Sequence, residues 1–368
     1  MNKSLIIRPI QSQVYAHLQT NLDLTILITH DRYFDPSIDL DELRFLKKNL
    51  SIVEFTPISS FFGFIEFSLF LFSYLSENYY DSILSNNLKD LPALWFSSLF
   101  IPVLKKSRII GISHNPTVWK SWISRKICIF YIRYFSDGFI ALSTTLRDYL
   151  YHNDLQQKRV RFIPNAFHEN NVQIKNTPPK KTLISISYIA NIEPRKAQED
   201  LIHIVSSLKD KYPTIVCFLV GGINDKKYKE KLNALVKEKK LEENVIFTGW
   251  LSKDEAMEIV EKNNIFVFPS HSEMMPRALI EAMWIGKPVV ASSIDGILDL
   301  ICNYENGIIV EPGNIQGFTQ EIDRLFQDSD FANYLGENAK YSIRSKCKEE
   351  IIGKEFECYY KDLMKTSN

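Results

Sequence analysis

The sequence has no surplus of either charge: 44 Lys+Arg stand against 44 Asp+Glu, a formal net charge of zero at pH 7. A general nucleic-acid binder needs a basic excess to neutralise phosphates, so that class is set aside, local patches excepted. Cysteine is scarce. The five (Cys128, Cys217, Cys302, Cys347 and Cys358) lie far apart, and none has the spacing of a zinc knuckle or a redox CxxC. Buried thiols in a reducing compartment are expected. The start, MNKSLIIRPI, has too short an apolar run for a signal peptide, and Arg8 and Pro9 end it. A cytoplasmic protein is the expectation. No G-x-x-x-x-G-K-[ST] loop and no G-x-S-x-G elbow occurs. Asp39-Leu40-Asp41 and Asp328-Ser329-Asp330 have D-x-D spacing, but the first opens an apparent helix and the second reads as a cap. Neither follows a strand, so no metal site is expected.

What is present is an ordinary globular composition, 45% hydrophobic and 24% charged over 368 residues, enough for two domains. One long apolar stretch, residues 58–75 (ISSFFGFIEFSLFLFSYL), approaches the length of a membrane span. Glu66 interrupts it and no Lys/Arg cluster flanks it, which favours a buried or interfacial helix. Short apolar runs at 5–8, 24–29, 52–55, 82–84, 109–113, 138–142 and 160–163 read as parallel strands covered on both faces. A second series follows at 182–189, 214–220, 244–247, 265–268, 288–291 and 307–310. Between the two, residues 165–181 are polar with Pro178-Pro179 and read as a linker. Ser252 and Glu255 form a capping box, and beyond Glu311-Pro312-Gly313 the pattern is helical to the end. The fold class is α/β, as two doubly wound Rossmann-like domains. The expected division is 1–165, a linker over 166–181, 182–345, and a helix over 346–368 packing back toward the first domain.

The densest chemical signal is residues 269–299, PSHSEMMPRALIEAMWIGKPVVASSIDGILD. The strand IFVF ends at Pro269-Ser270, Pro276 is expected as the first helical residue, and Gly286 closes the helix. Glu273 then lies in the loop before the helix and Glu281 within it. That loop sits at a strand's carboxyl end, where open α/β sheets bind ligands, and helix-start amides suit a diphosphate.

This region resembles the E-x7-E motif of retaining glycosyltransferases of GT-B fold, family 4 (glycosyl transferases group 1), of the bacterial surface-polysaccharide type. The resemblance extends through Gly286-Lys287-Pro288-Val289-Val290, Asp295-Gly296, the segment ANIEPRKAQEDLI with Lys196 in the family's lysine position, Val220-Gly221-Gly222, DGFIALS, and Ile163-Pro164-Asn165. It implies that Glu281 bonds the ribose hydroxyls of a UDP- or GDP-sugar. Glu273 would face the transferred sugar, helped by the amides of Met274 and Met275, and Lys196 would neutralise the diphosphate. Gly221 would admit the donor at a strand end. Taken alone, each charged residue reads as solvent-exposed; the run of motifs in order reverses that.

Five departures accompany the likeness, one of them Asp299, a shorter carboxylate where relatives often close the loop with a longer acid. Asn191 stands where many members carry a diphosphate-binding arginine; Arg195 beside Lys196 either supplies that charge or is an ordinary solvated side chain. Ala197 replaces a glycine, and Pro276 replaces another, removing one N–H. Arg8, Pro9 and Gln11 stand where relatives have a Gly-Gly loop. In the first half His114 follows a strand and either contacts the sugar, as a catalytic-side residue, or serves as a loop histidine bonded to backbone.

Residues 117–135 (TVWKSWISRKICIFYIRYF) mix aromatic and basic side chains. They read as a core helix with snorkelling basic ends or as an amphipathic helix on an anionic membrane. The resemblance implies transfer of a hexose or related sugar, without cofactor or metal, to a saccharide or lipid-linked saccharide, in capsule or lipopolysaccharide synthesis. The location implied is cytoplasmic, peripheral on the membrane's inner face, with both substrates in a cleft between domains. A sugar-nucleotide epimerase of GT-B fold and a non-catalytic nucleotide-sugar-binding subunit are the alternatives.

Overall fold

The computed structural model describes residues 3–7, 16–17, 19–20, 23–29, 50–55, 63–86, 88–92, 94–95, 107–114, 119, 121–155, 159–167 and 184–365. The backbone divides into two units: Met1–His168 with Cys347–Asn368, and Glu169–Lys346. The loop with Arg8, Pro9 and Gln11, the Asp39–Asp41 acids and Lys120 lie outside the described residues, as does the expected linker from 168 onward.

The first unit contains β1 (Lys3–Ile7), β2 (Asp23–Thr29), β3 (Leu50–Phe55), α1 (Gly63–Glu77), β4 (Ser82–Ser85), β5 (Arg108–Ile112), α2 (Trp122–Phe135), β6 (Gly138–Ala141), α3 (Thr144–Tyr151) and β7 (Val160–Phe162). The strands form one parallel sheet in the order β3-β2-β1-β4-β5-β6-β7. Every residue of β4 and β6 is buried, the consequence of helices covering both faces. In α1, Phe67, Leu71 and Leu75 recur every fourth residue and are buried, whereas Leu69 and Phe72 reach solvent. Over residues 67–75 the helix therefore turns one face inward and one outward. Among the described residues no helix is long and apolar enough to cross a membrane.

The second unit runs β8 (Ser185–Ile189), a 3-10 turn (Pro194–Lys196), α4 (Gln198–Lys209), β9 (Val216–Val220), α5 (Lys226–Glu238), β10 (Val245–Gly249), α6 (Lys253–Lys262), β11 (Ile265–Phe268), α7 (Arg277–Trp284), β12 (Val289–Ser292), β13 (Ile308–Val310), α8 (Ile315–Gln327) and α9 (Ser329–Lys346). Its strands are parallel in the order β10-β9-β8-β11-β12-β13. The chain proceeds from β8 toward β9 on one side and returns to β11 on the other. The crevice between the carboxyl ends of β8 and β11 is therefore a topological switch point. Ser252 caps α6 in a complete capping box with Glu255. Asp328 accepts from Phe331 N at 2.9 Å at the start of α9, so this second D-x-D acid is a cap.

The last helix, α10 (Glu349–Lys365), belongs to the first unit. It buries Ile352, Phe356, Tyr359, Tyr360 and Leu363, and each such side chain contributes roughly 1.5–3 kcal/mol of apolar burial. The Tyr359 hydroxyl donates to Arg159 O at 2.9 Å, and a Cβ added at Gly138 would lie 2.2 Å from the Tyr359 hydroxyl oxygen. His17 Nε2 meets the Tyr360 hydroxyl at 2.6 Å inside the protein, and Arg161 pairs with Asp362 at 2.9 Å.

Candidate functional site

The two strands that flank the switch point deliver the charged residues. After β8 the chain turns through Asn191 to the 3-10 turn, whose last residue is Lys196. After β11 it passes Pro269 and Ser270 to Glu273. Lys196 Nζ and Glu273 Oε1 lie 2.5 Å apart, with side-chain exposures of 13% and 8%. Arg195 Nη1 approaches Glu273 Oε2 at 3.5 Å, and its Nη2 pairs with Glu193 at 2.7 Å. Burial pulls the Lys196 ammonium below the usual lysine range, and the Glu273 charge opposes that without reversing it.

A buried hydroxyl pair supports this cluster. Ser270 Oγ donates to Glu273 Oε1 at 2.9 Å, the Tyr188 hydroxyl lies 2.7 Å from Ser270 Oγ, and it donates to Lys196 O at 2.9 Å. Two hydroxyl protons serve three contacts, so the tyrosine proton is shared between the Lys196 carbonyl and Ser270. Burial first, and then the Glu273 charge, raise the Tyr188 phenol well above its ordinary range, so it stays a proton donor.

Gly221 follows β9 with φ +149°, and a Cβ there would lie 2.2 Å from Ala190 O. Only glycine lets these two strand ends approach so closely. Asn191 is exposed beside them, its carbonyl accepting from Gln198 Nε2 at 2.9 Å. Met274 and Met275 are buried. Gly296, with φ +78°, packs so tightly on their loop that an added Cβ would lie 1.7 Å from Met274 O.

Glu281 sits in α7 and pairs through Oε1 with Lys253 Nζ at 3.1 Å. Pro276 occupies the N-cap, not the first helical position expected for it: its ψ of 115° is extended, so the helix begins at Arg277. His114 lies in the first unit just beyond the carboxyl end of β5, its Nε2 3.2 Å from Oδ1 of Asn86, which follows the neighbouring strand β4.

The structure thus brings Lys196, Arg195 and Glu273 into direct contact and places Asn191, Gly221, Met274 and Met275 on the loops around them. It puts Glu281 in a separate ion pair and His114 in the other unit. Sequence reasoning missed Tyr188, Ser270, Lys253 and the packing role of Gly296. Ser270 adjoins the motif and carried a signal; a tyrosine inside an apolar strand carried none.

Residues 169–342 match the family model described as glycosyl transferases group 1. Among curated relatives, the capsular polysaccharide biosynthesis glycosyltransferase CapM of Staphylococcus aureus is 25% identical over 182 residues, 50% of this chain and 47% of that protein. The chain spans about half the length of the curated relatives it first matches. Among solved structures, Anabaena Alr3699/HepE in complex with UDP and glucose superposes with a TM-score of 0.80 at 18% identity, covering 97% of this chain and 98% of that one. Sucrose-phosphate synthase from Thermosynechococcus elongatus superposes with a TM-score of 0.78 at 18% identity and covers 100% of both chains. The fold is that of the GT-B glycosyltransferases. The likeness to the group 1 glycosyl transferases falls within residues 169–342, almost all of the second unit.

Proposed function

We propose that this chain is a retaining glycosyltransferase of family 4. It would move a sugar from a UDP- or GDP-sugar to a saccharide or lipid-linked saccharide at the cytoplasmic face of a membrane, in surface-polysaccharide synthesis. The observation that carries the reading is the meeting of Lys196 and Glu273, 77 positions apart, at the switch point of the second sheet. In this reading the bond from the sugar's anomeric carbon to the diphosphate oxygen breaks, and a bond to the acceptor oxygen forms on the same face. The acceptor's proton passes to the departing diphosphate. Lys196, with Arg195 in place of the arginine absent at Asn191, meets the negative charge that develops there, so no divalent cation is invoked. Glu273 and the amides of Met274 and Met275 orient the sugar, Gly221 leaves room for the diphosphate, and Glu281 holds the ribose. The complex of HepE with UDP and glucose, and the capsular polysaccharide role that CapM's name gives, support the donor and pathway classes.

A thermal-shift screen of UDP, GDP, ADP and their sugars tests the donor, since a ligand bound only by the folded state raises its stability. Transfer assays then test the residues. Glu273→Gln and Glu281→Gln are expected to lower turnover about 10²–10³-fold, the scale of one lost transition-state contact. Full transfer by both variants would refute the assignment.

A further inference from the structure

The helix α2 turns a hydrophobic face outward. Trp122, Ile123, Ile127, Phe130 and Tyr134 are 72%, 63%, 46%, 49% and 57% exposed, while Cys128, Ile129 and Ile132 hold its opposite face in the core. The helix is therefore two-faced: Ile129 and Ile132 are core residues, whereas Trp122, Ile123, Ile127, Phe130 and Tyr134 are not. At about 100° per residue the exposed set forms one stripe along a helix of about 21 Å. Ring contacts extend the patch. Phe130 lies 4.8 Å from Tyr134 and 5.6 Å from Phe135, and Phe135 lies 5.1 Å from the partly exposed Trp95. A contiguous aromatic surface of this kind marks an interaction site.

The charges around it name the occupant. The helix carries Arg125, Lys126 and Arg133 and no acid. Lys126 is exposed and, like Arg133, falls between Trp122 and Phe130 around the helix, to one side of Ile123, Ile127 and Tyr134. Arg133 Nη2 donates to Asn153 O at 2.6 Å, and Arg125 donates to Trp119 O. Among the described residues no carboxylate pairs with any of the three. A second copy meeting this face by a twofold axis would set cation against cation with no acid on either helix. An anionic bilayer satisfies both features: its interface accepts tryptophan and tyrosine, and its headgroups attract the basic flank.

We propose that α2 lies flat on an anionic lipid surface, with Ile123, Ile127 and Phe130 entering the acyl boundary and Lys126 and Arg133 facing lipid phosphates. The proposal deepens the transferase reading, on which it rests only for its purpose of meeting a lipid-linked acceptor; docking itself needs no turnover. The test is co-sedimentation of the full chain with phosphatidylcholine vesicles, with and without about a third phosphatidylglycerol, at low and high salt. Expected is binding that requires phosphatidylglycerol and weakens with salt. Partitioning should fall at least about tenfold in the double variant Ile123→Ser/Phe130→Ser and about fivefold in Lys126→Glu. Both variants should keep the wild-type melting temperature and nucleotide-induced shift. Equal binding with and without anionic lipid, binding indifferent to Lys126→Glu, or a solution dimer dissolved by the double variant would overturn it. Vesicle binding without any nucleotide-induced shift would sink the transferase reading and leave the surface standing.

Discussion

Lys196 Nζ sits 2.5 Å from Glu273 Oε1, so each is the other's counter-ion in the donor-free protein. A diphosphate arriving at this cluster meets a cation already held in place, and its binding must redistribute that pairing. The ion pair costs little side-chain entropy at the moment of binding because the lysine is ordered beforehand.

The depressed Lys196 ammonium gives a pH signature. A lysine with a lowered pKa loses its proton as pH rises, before an ordinary lysine would. Affinity for UDP or GDP should therefore begin to fall on the alkaline side below about pH 10.4, where an ordinary lysine gives up its proton. Lys196→Arg, whose guanidinium stays charged throughout, should flatten that limb. Calorimetric titration of the nucleotide across this range checks it, and a wild-type affinity constant to the alkaline end would contradict it.

Tyr188 should act through the residues it holds. Tyr188→Phe leaves the Lys196 carbonyl and Ser270 Oγ short of a donor inside the protein, a loss of about 1–3 kcal/mol in stability. Turnover should fall roughly tenfold while KM for the acceptor holds, because only the donor side of the site is disturbed. Chemical denaturation and steady-state kinetics read the two effects. A variant with wild-type stability and turnover would show the hydroxyl to be idle.

Gly296→Ala should be more damaging than an ordinary surface substitution. The new methyl would have to displace the Met274 carbonyl at 1.7 Å, from a backbone with φ +78°. Destabilisation above about 2 kcal/mol is expected, together with weaker nucleotide binding as the Glu273 loop shifts. Gly313→Ala, also at φ +78° but with nothing within 4 Å, is the control that carries backbone strain alone. Equal melting temperatures for the two variants would remove the loop-packing argument.

The strands were legible because parallel strands covered on both faces are written as continuous apolar runs, and β11 has the bounds its IFVF run suggests. β10 runs past its expected end at 247 because the pairing with β9 shifts between Phe247 and Gly249, a local irregularity with no hydrophobic signature. At the site, Glu273 was legible in the loop after the IFVF strand, and Lys196 only through the family resemblance, since taken alone it reads as a surface lysine. Tyr188 was not: its partner Ser270 lies 82 positions away, and an isolated tyrosine in β8 reads as packing. Lys253 was hidden for another reason, since its neighbours Ser252 and Glu255 announced only a helix start. For α2 the periodicity defined a face, but only the surrounding fold decides which face is packed.

The return of α10 makes the first unit discontinuous, its pieces separated by the whole of Glu169–Lys346. As a nascent chain leaves the ribosome, the intervening unit is complete first, while His17 and the groove beside Gly138 still await Tyr360 and Tyr359. The second unit is thus complete before the first can close, and a chain cut before α10 would keep the second sheet while leaving the first without its closing wall.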